Sequence, residues 1–589
     1  MKKRLISVVC LLVAIGLSVH AQQSRPTGSY EELNDTKPHD SEAMWKQQVK
    51  VAQLSWATSN MRYAKFVIPQ TKKSLVWNTI AWRGERVNGQ ALLWSSEELR
   101  NVTLEASTLK CGSAVIPVEA VKASFVRYVM TDEYSNEAKG SGCGARPDKS
   151  VFDSSIVEDV IDPVKALDVQ ACSTRPIWVN VWVPQSAKAG IYKGVITVKG
   201  ENLKPMKLQI AVNVKNRVLP LPKDWKFHLD LWQNPYSVAR YENVPLWSKE
   251  HFDAMRPVMK ELSDAGQKVI TASIIYKPWN GQTEDYFSSM IGHTKHLDGS
   301  WTYDYTVFDK WVEFMMSVGI DQQINCYTMI PWALSFDYFD EASNEIKFVN
   351  AKPGDPAYEA YWLPFLKDFA SHLRTKGWFG KTAIAMDERG LEAMKEAIKV
   401  IRKADTDWKI ALAGSYHKEI EPELYDLCLG IGGNFPPEVK AAREKRGQVS
   451  TYYTCCSTNF PNEFTFSPPA EAVWAMWNAA ALNFDGFLRW AYNSWTKDPL
   501  LDSRFRSFAA GDCYQVYPGG RSSIRMEKMV EGIQDFEKIR LLRDEFKAKG
   551  QVDKLKKLNA VVSLFTLENA SKHSAEEAVE MARSVLNTY

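Results

Sequence analysis

From about residue 47 to residue 220 apolar and polar positions alternate in short runs. Ile177-Trp178-Val179-Asn180-Val181-Trp182-Val183 is rich in β-branched and aromatic residues, 191–198 and 206–214 alternate, and Gly and Pro punctuate the gaps. Several short strands of this kind predict an N-terminal β-sandwich over 47–220. Leu219-Pro220-Leu221-Pro222 stiffens its exit, and the pattern then changes. Eight apolar runs follow, at 227–232, 269–276, 322–327, 382–386, 410–413, 428–431, 449–454 and 487–492. Helical spacing separates them: Phe308, Trp311, Val312 and Met315; Leu391, Met394, Ile398 and Ile401; and a helix through Trp474 and Trp477. Strands alternating with helices predict parallel pairing, and eight such units predict a multidomain chain whose centre, 221–520, is a (β/α)8 TIM-like barrel. The helix after the sixth strand is weakly signalled. Residues 521–589 read as a charged C-terminal helical segment that packs on the barrel, with Ile524, Met529, Ile533 and Ile539 as core contacts.

The start of the chain obeys a different logic. Residues 1–21 have a basic start, an apolar run from Leu5 to Leu17 and the small-residue end Val19-His20-Ala21, which is the pattern of a signal peptide. The run is too short to span a bilayer, and no later stretch qualifies. The protein is therefore expected to be exported and soluble, with residues 22–46 as a polar tether. Without Lys2, Lys3 and Arg4 the 73 basic residues fall to 70, equal to the 70 acidic ones. That balance excludes nucleic acid as a partner, since binding phosphates takes clustered excess charge. The 45% of hydrophobic residues excludes disorder, and the 21 Trp, 23 Tyr and 25 Phe provide flat faces on which sugar rings stack, although large cores also use them. Beyond Cys10 eight cysteines remain, whose pairing the sequence does not define. His293-x-x-His296 before Asp298 lacks a third ligand, so no metal and no cofactor is expected.

In a barrel the reactive face is the C-terminal end of the strands. The fourth run, Thr382-Ala383-Ile384-Ala385-Met386, passes directly into Asp387-Glu388-Arg389-Gly390. Two neighbouring carboxylates after an apolar strand are costly to desolvate and repel each other, which raises the proton affinity of at least one, as a general acid requires. Retaining glycosidases of the ordinary kind hold two carboxyl groups about 5 Å apart across the anomeric carbon. Consecutive residues instead approach a sugar from one wall, which suits a substrate-assisted route in which a 2-acetamido oxygen attacks C1. The plain alternative is an acidic pair at a helix start, with Asp387 capping backbone N–H groups.

The leader, sandwich, barrel and Met386-Asp387-Glu388-Arg389-Gly390, followed by Ser523-Ile524-Arg525-Met526-Glu527 and Glu531-Gly532-Ile533-Gln534-Asp535, resemble glycoside hydrolase family 123 over nearly the whole mature chain. The resemblance implies an exo-acting, retaining β-N-acetylgalactosaminidase acting on glycans with terminal β-linked N-acetylgalactosamine. It further implies that Asp387 holds the acetamido N–H and that Glu388 protonates the leaving oxygen and then activates water. Other strand ends supply candidates for binding substrate. Tyr453 is expected to donate to the acetamido oxygen, and Asn434 to bind hydroxyls or support Asp387. Trp490 or Trp495 is expected as the floor under the ring, with Tyr492 and Asn493 beside them, although strand alternation sends Trp490 and Tyr492 to one face and Asn493 to the other. Asp512 and Tyr514 are further hydroxyl-binding candidates. Trp232, Tyr276 and Trp332 lie near strand ends and are as readily structural. Two alternatives stay open: a β-hexosaminidase preferring N-acetylglucosamine, and a secreted glycan-binding protein without activity.

Overall fold

The computed structural model describes residues 31–37, 39–134, 152–506 and 508–589. The expected signal peptide, 1–21, lies outside the described residues, as does the first part of the segment 22–46. No helix among the described residues is long and apolar enough to cross a membrane.

The N-terminal domain consists of two sheets. One places Gln53–Ala57, Arg86–Ser95, Ser173–Trp182, Val121–Tyr134 and Phe152–Asp162 side by side, all antiparallel. The other runs Val76–Arg83, Leu203–Val218, Gly190–Gly200, Leu99–Ala106 and Ala166–Val169, with Val76–Arg83 parallel to its neighbour. Period-two alternation along Leu203–Val218 buries Leu208, Ile210, Val212 and Val214 in one cluster with Val179 and Val181 of the other sheet. This is the sandwich core, each side chain contributing about 1.5–3 kcal/mol. The described part of the stretch expected as a tether lies against the five-stranded sheet. Burial works against the charge of Glu32, but Arg175 at 2.6 Å and Lys65 at 2.8 Å outweigh it and hold the carboxyl down to about 2.

The central domain is an eight-stranded parallel sheet curled into a barrel. Its strands are β1 (His228–Leu231), β2 (Val269–Ser273), β3 (Gln323–Tyr327), β4 (Thr382–Asp387), β5 (Lys409–Gly414), β6 (Asp426–Gly430), β7 (Val449–Tyr453) and β8 (Gly486–Arg489). Spatial order is β1-β8-β7-β6-β5-β4-β3-β2, so all eight expected strands are present. The seam between β1 and β2 has a single backbone bridge, Leu229 to Gln267, and side-chain amides close the rest. The Leu231 N–H donates to Gln267 Oε1 at 3.0 Å, Gln267 Nε2 donates to the Val269 carbonyl at 2.7 Å, and the Thr271 N–H donates to Gln233 Oε1 at 2.9 Å. Two glutamines thus satisfy backbone groups that twist leaves without ladder partners.

Helices follow most strands, and the irregularity falls elsewhere than expected. After β5 there is only the single turn Glu421–Glu423, whereas β6 is followed by the helix Pro437–Lys445. The buried side chains of that helix are Lys440 and Arg443, the latter donating to Glu421, Ser450 and main-chain carbonyls. Hydrophobic periodicity is blind to such a helix. Loops after β2 and β3 pair into a four-stranded sheet that holds His293 stacked on Tyr361, while His296 bonds Glu341 and Thr302. Among the described residues no group of three or more His, Cys, Asp or Glu is arranged to hold a metal ion.

The helix Ile524–Ala548 follows β8 and packs on Ala470–Leu482, so part of the expected C-terminal segment occupies the place of the eighth barrel helix. A Cβ on Gly532 would stand 2.7 Å from Met476 Cβ, so glycine sets the closeness of this contact. The other side of the same helix grips the sandwich. Arg525 pairs with buried Asp159 at 2.9 Å and donates to the carbonyls of Glu463, Gly511 and Tyr514. Gln534 exchanges two 2.8 Å bonds with the Arg86 main chain, and Glu527 accepts from Asn180 at 2.7 Å. The Ser523-to-Asp535 motif therefore welds domains, and none of its residues lines the pocket that holds Asp387 and Glu388.

Removing one member of a buried ion pair leaves the other charge without compensation, at a cost of about 3–5 kcal/mol. Arg525→Met is expected to lower the thermal unfolding midpoint by several degrees and to hasten proteolysis between the domains. Unchanged values in calorimetry and limited proteolysis would show that Arg525 does not hold this interface.

Candidate active site

β4 carries the acidic pair. Apolar Ala383, Ile384, Ala385 and Met386 are buried, and the strand ends at Asp387 in register with Ala413 of β5. In an ideal strand the next side chain would point to the opposite face. Glu388 instead takes φ +38°, in the left-handed region, while its N–H still donates to the Ala413 carbonyl at 2.6 Å. Both carboxylates consequently line one pocket. The absence of a side chain at Gly414 makes room, since a Cβ there would stand 3.3 Å from Glu388 Cα.

The two carboxylates differ in environment. Asp387 is buried, and its carboxyl is pushed up from 3.8 to about 6, chiefly by desolvation; Arg389 pulls it down and the Glu388 charge pushes it further up. Arg389 Nη2 lies 3.5 Å from Asp387 Oδ1, and the guanidinium stacks 3.9 Å from the centre of the Trp332 ring. Glu388 is exposed and accepts a 2.8 Å hydrogen bond from the Tyr453 hydroxyl at the end of β7. Burial, followed by the Glu388 charge, holds the phenol well above its usual range, so it remains a donor.

The remainder of the pocket, which contains about 580 Å³ of open space, is largely aromatic. Trp232 and Trp279 stack at 5.2 Å, with Tyr327 against Trp232 at 4.4 Å. Trp332, 43% exposed, stands at the mouth, and Gln282, Leu488, Trp490 and Phe508 complete the wall. Cys455 and Cys456 also line it; Cys455 is a free thiol and Cys456 is disulfide-bonded. Asp387 and Glu388 are the carboxylates among the lining residues.

Of the residues singled out in the sequence, Asp387, Glu388, Tyr453, Trp490, Trp232 and Trp332 meet at this pocket. The others lie apart; β8 ends at Arg489, and of the residues singled out just beyond it only Trp490 faces the pocket. The Tyr492 hydroxyl donates to the Val258 carbonyl, Asn493 exchanges bonds with the Asn234 main chain, and the Trp495 indole donates to the Val516 carbonyl. Asp512 stands behind the wall: it accepts from Arg489 and from the Trp490 indole, each at 2.8 Å, and so fixes the plane of that ring. Tyr514 is buried away from the pocket, Asn434 is exposed outside it, and Tyr276 is not among its lining residues. Trp279, Gln282 and Phe508 were not legible as site residues. They lie in loops after β2 and β8, beyond any periodic signal.

Residues 232–542 match the family model of the glycoside hydrolase 123 catalytic domain, and residues 56–200 that of the glycoside hydrolase 123 N-terminal domain. No curated protein matches the chain. A family 123 glycoside hydrolase from Clostridium perfringens, whose structural analysis concerned glycolipid glycan hydrolysis, is similar with TM-score 0.80 and 26% identity over 91% of this chain and 97% of that one. A family 39 glycoside hydrolase from Bacteroides cellulosilyticus reaches TM-score 0.34 at 9% identity, covering 78% of this chain and 82% of that one, which is too remote to carry an argument. The catalytic-domain model alone covers more than half of the residues, and its match begins at pocket-lining Trp232 and spans the acidic pair; the protein belongs to glycoside hydrolase family 123.

Proposed function

We propose that the protein is an exo-acting, retaining β-N-acetylgalactosaminidase that uses the 2-acetamido group of its substrate as the nucleophile. The observation that carries this reading is the placement of both carboxylates on one wall, from consecutive residues, with no other Asp or Glu among the lining residues. Direct displacement by an enzyme carboxylate requires a partner across the anomeric carbon. With acids on one side only, the attacking group is most simply the ligand's own amide oxygen. Asp387, ionised above about pH 6, accepts the acetamido N–H and stabilises the positive charge that develops on the closing oxazolinium ring. Exposed Glu388 protonates the departing oxygen and then takes a proton from the water that opens the ring, so that two inversions at C1 give net retention. The tryptophans offer flat apolar faces to the sugar, and exclusion of water near Asp387 strengthens its hydrogen bond to the amide. The glycolipid glycans named for the Clostridium perfringens relative make a glycoconjugate with terminal β-linked N-acetylgalactosamine the substrate class to test first. The expected leader assigns the enzyme to an exported location.

Hydrolysis of aryl β-N-acetylgalactosaminides, with the N-acetylglucosamine analogues in parallel, tests the assignment. Glu388→Gln is expected to lose about 10²–10⁴ in kcat on a poor leaving group, and Asp387→Asn a similar factor on every substrate. A thiazoline mimic of the cyclised intermediate is expected to inhibit. Activity of Glu388→Gln within tenfold of wild type, or an active enzyme indifferent to the thiazoline, would sink the mechanism. Faster cleavage of the glucosaminide would replace the proposed sugar.

The Asp387 charge also has a sign in stability. Its folded carboxyl holds a proton up to about 6 against 3.8 unperturbed, so ionisation destabilises the fold at high pH and that cost disappears as pH falls through 6 towards 4. Asp387→Asn is therefore expected to be more stable than wild type by about 1–3 kcal/mol at pH 8, with the gap closing near pH 4. Thermal unfolding against pH reads this directly, and a gap that widens on acidification would contradict the assigned shift. Gly414→Val, which crowds Glu388 Cα, is expected to cut kcat at least tenfold with unaltered circular dichroism.

A further inference from the structure

The outward face of the five-stranded sheet is covered along only part of its length. Along Ser173–Trp182 the side chains of Val179 and Val181 enter the sandwich core, so Trp178, Asn180 and Trp182 point to the other face. Ile524 of the helix Ile524–Ala548 packs on Trp178. Beyond that contact the sheet and the barrel leave a cleft with about 1310 Å³ of open space. One wall is Asn180 and Trp182 with their cross-strand partners Lys122 and Arg86, and the other carries Glu261 and Asp264 of the helix Lys249–Asp264. These two carboxylates lie in the last turn of that helix, shortly before β2 begins, which puts the cleft towards the N-terminal ends of the barrel strands and away from the reactive mouth. None of the residues lining it lines the pocket of Asp387 and Glu388.

The polar groups of this cleft have bonding capacity to spare. Arg86 is 9% exposed, yet its guanidinium stands 3.4 Å from Glu527 Oε2 and 3.7 Å from Glu261 Oε1, both longer than ordinary N–H···O bonds. Arg86 Nη2 and Glu261 Oε1 are enclosed without a hydrogen-bond partner. The guanidinium can therefore tilt into the cleft without breaking a bond. Half-buried Trp182 lies beside it, the Arg86 Cζ 5.7 Å from its ring centre. Charge restricts what fits. Arg86 and Lys122 are interspersed with Glu261, Asp264 and Glu527, so a cation meets the guanidinium and an anion meets three carboxylates. A neutral hydroxyl escapes both penalties, because it accepts from a guanidinium while donating to a carboxylate, and a pyranose ring adds a flat C–H face for an indole. We propose that this cleft is a second, non-catalytic sugar site, in which an uncharged oligosaccharide stacks one ring on Trp182 and sets neighbouring hydroxyls between Arg86 and Glu261. Such a site lets the enzyme hold one glycan of a clustered surface while it hydrolyses another, which raises its local concentration there. The proposal is independent of which sugar the acidic pair cleaves.

Titration calorimetry of the full chain with lactose, cellobiose, maltose and xylobiose tests the site. At least one of these uncharged sugars is expected to bind with a Kd of about 1 mM. Trp182→Ala is expected to weaken that binding about tenfold, whereas Trp182→Phe, which keeps a flat face, retains most of it. Both variants are expected to unfold at the wild-type temperature. No binding of any of the sugars at about 20 mM, or binding that Trp182→Ala leaves unchanged, would overturn the proposal. Displacement of the bound sugar by inorganic sulfate would mark an anion site around Arg86 and overturn it equally. A crystal structure with the tightest-binding sugar gives a readout that needs no variant. The expected arrangement has a ring against Trp182 and a sugar oxygen within about 3.2 Å of an Arg86 guanidinium nitrogen. A cleft holding water alone, with the sugar only in the pocket of Asp387 and Glu388, would refute it.

Discussion

The site depends on one departure from strand geometry. A β-strand sends neighbouring side chains to opposite faces, and in a closed barrel one face is the interior and the other the helical layer. Glu388 escapes the helical layer because its backbone turns left-handed just as β4 ends, while its N–H keeps the ladder bond to Ala413. A non-glycine residue in that region is uncommon, and such strain clusters where function requires a particular aim. Here it sets two carboxylates side by side, one buried and raised in proton affinity, the other exposed and held by a phenol.

Around this point the barrel is built to hold its mouth still. The Trp490 plane is fixed by Asp512, which Arg489 holds in turn, and Arg489 also bonds Glu463, Asn462 and Thr454. Apart from Trp490 itself these groups are buried, where each unmet partner is costly, so the network leaves few alternative arrangements for the wall. The sandwich contributes from a distance. Asp159 on its edge strand receives Arg525, Tyr517 and Arg62, and Arg525 also bonds carbonyls of the loop segments that carry Glu463 and Asp512. The N-terminal domain is thus bonded to the shell directly behind the pocket.

Legibility of these features followed the physics of each signal. The eight strands of the barrel were readable because buried parallel strands are continuous apolar runs. The helix Pro437–Lys445 was weak because it buries Lys440 and Arg443 rather than an apolar stripe, and the single turn after β5 left no pattern at all. The acidic pair was readable because carboxylates directly after an apolar strand carry an evident desolvation cost. Its partners separated case by case: Tyr453 and Trp490 sit at or next to strand ends and reach the pocket, whereas Tyr492, Asn493 and Trp495 lie just beyond β8, where the chain has left the barrel. The Ser523-to-Asp535 stretch stood out as a motif, yet its polar residues are spent on the contact with the sandwich.

The sequence by itself determined the strand and helix alternation, the two-regime organisation and the location of the acidic pair, because these rest on local periodicity and on residue types next to each other in the chain. Only the tertiary structure decided that both acids share one wall, that Tyr453 bonds Glu388, that Asp512 serves Trp490 rather than the pocket, and that Trp279 and Trp332 join from loops. Such facts depend on the backbone's turn at a single residue and on distances between segments far apart in the chain. Neither leaves a period in the sequence.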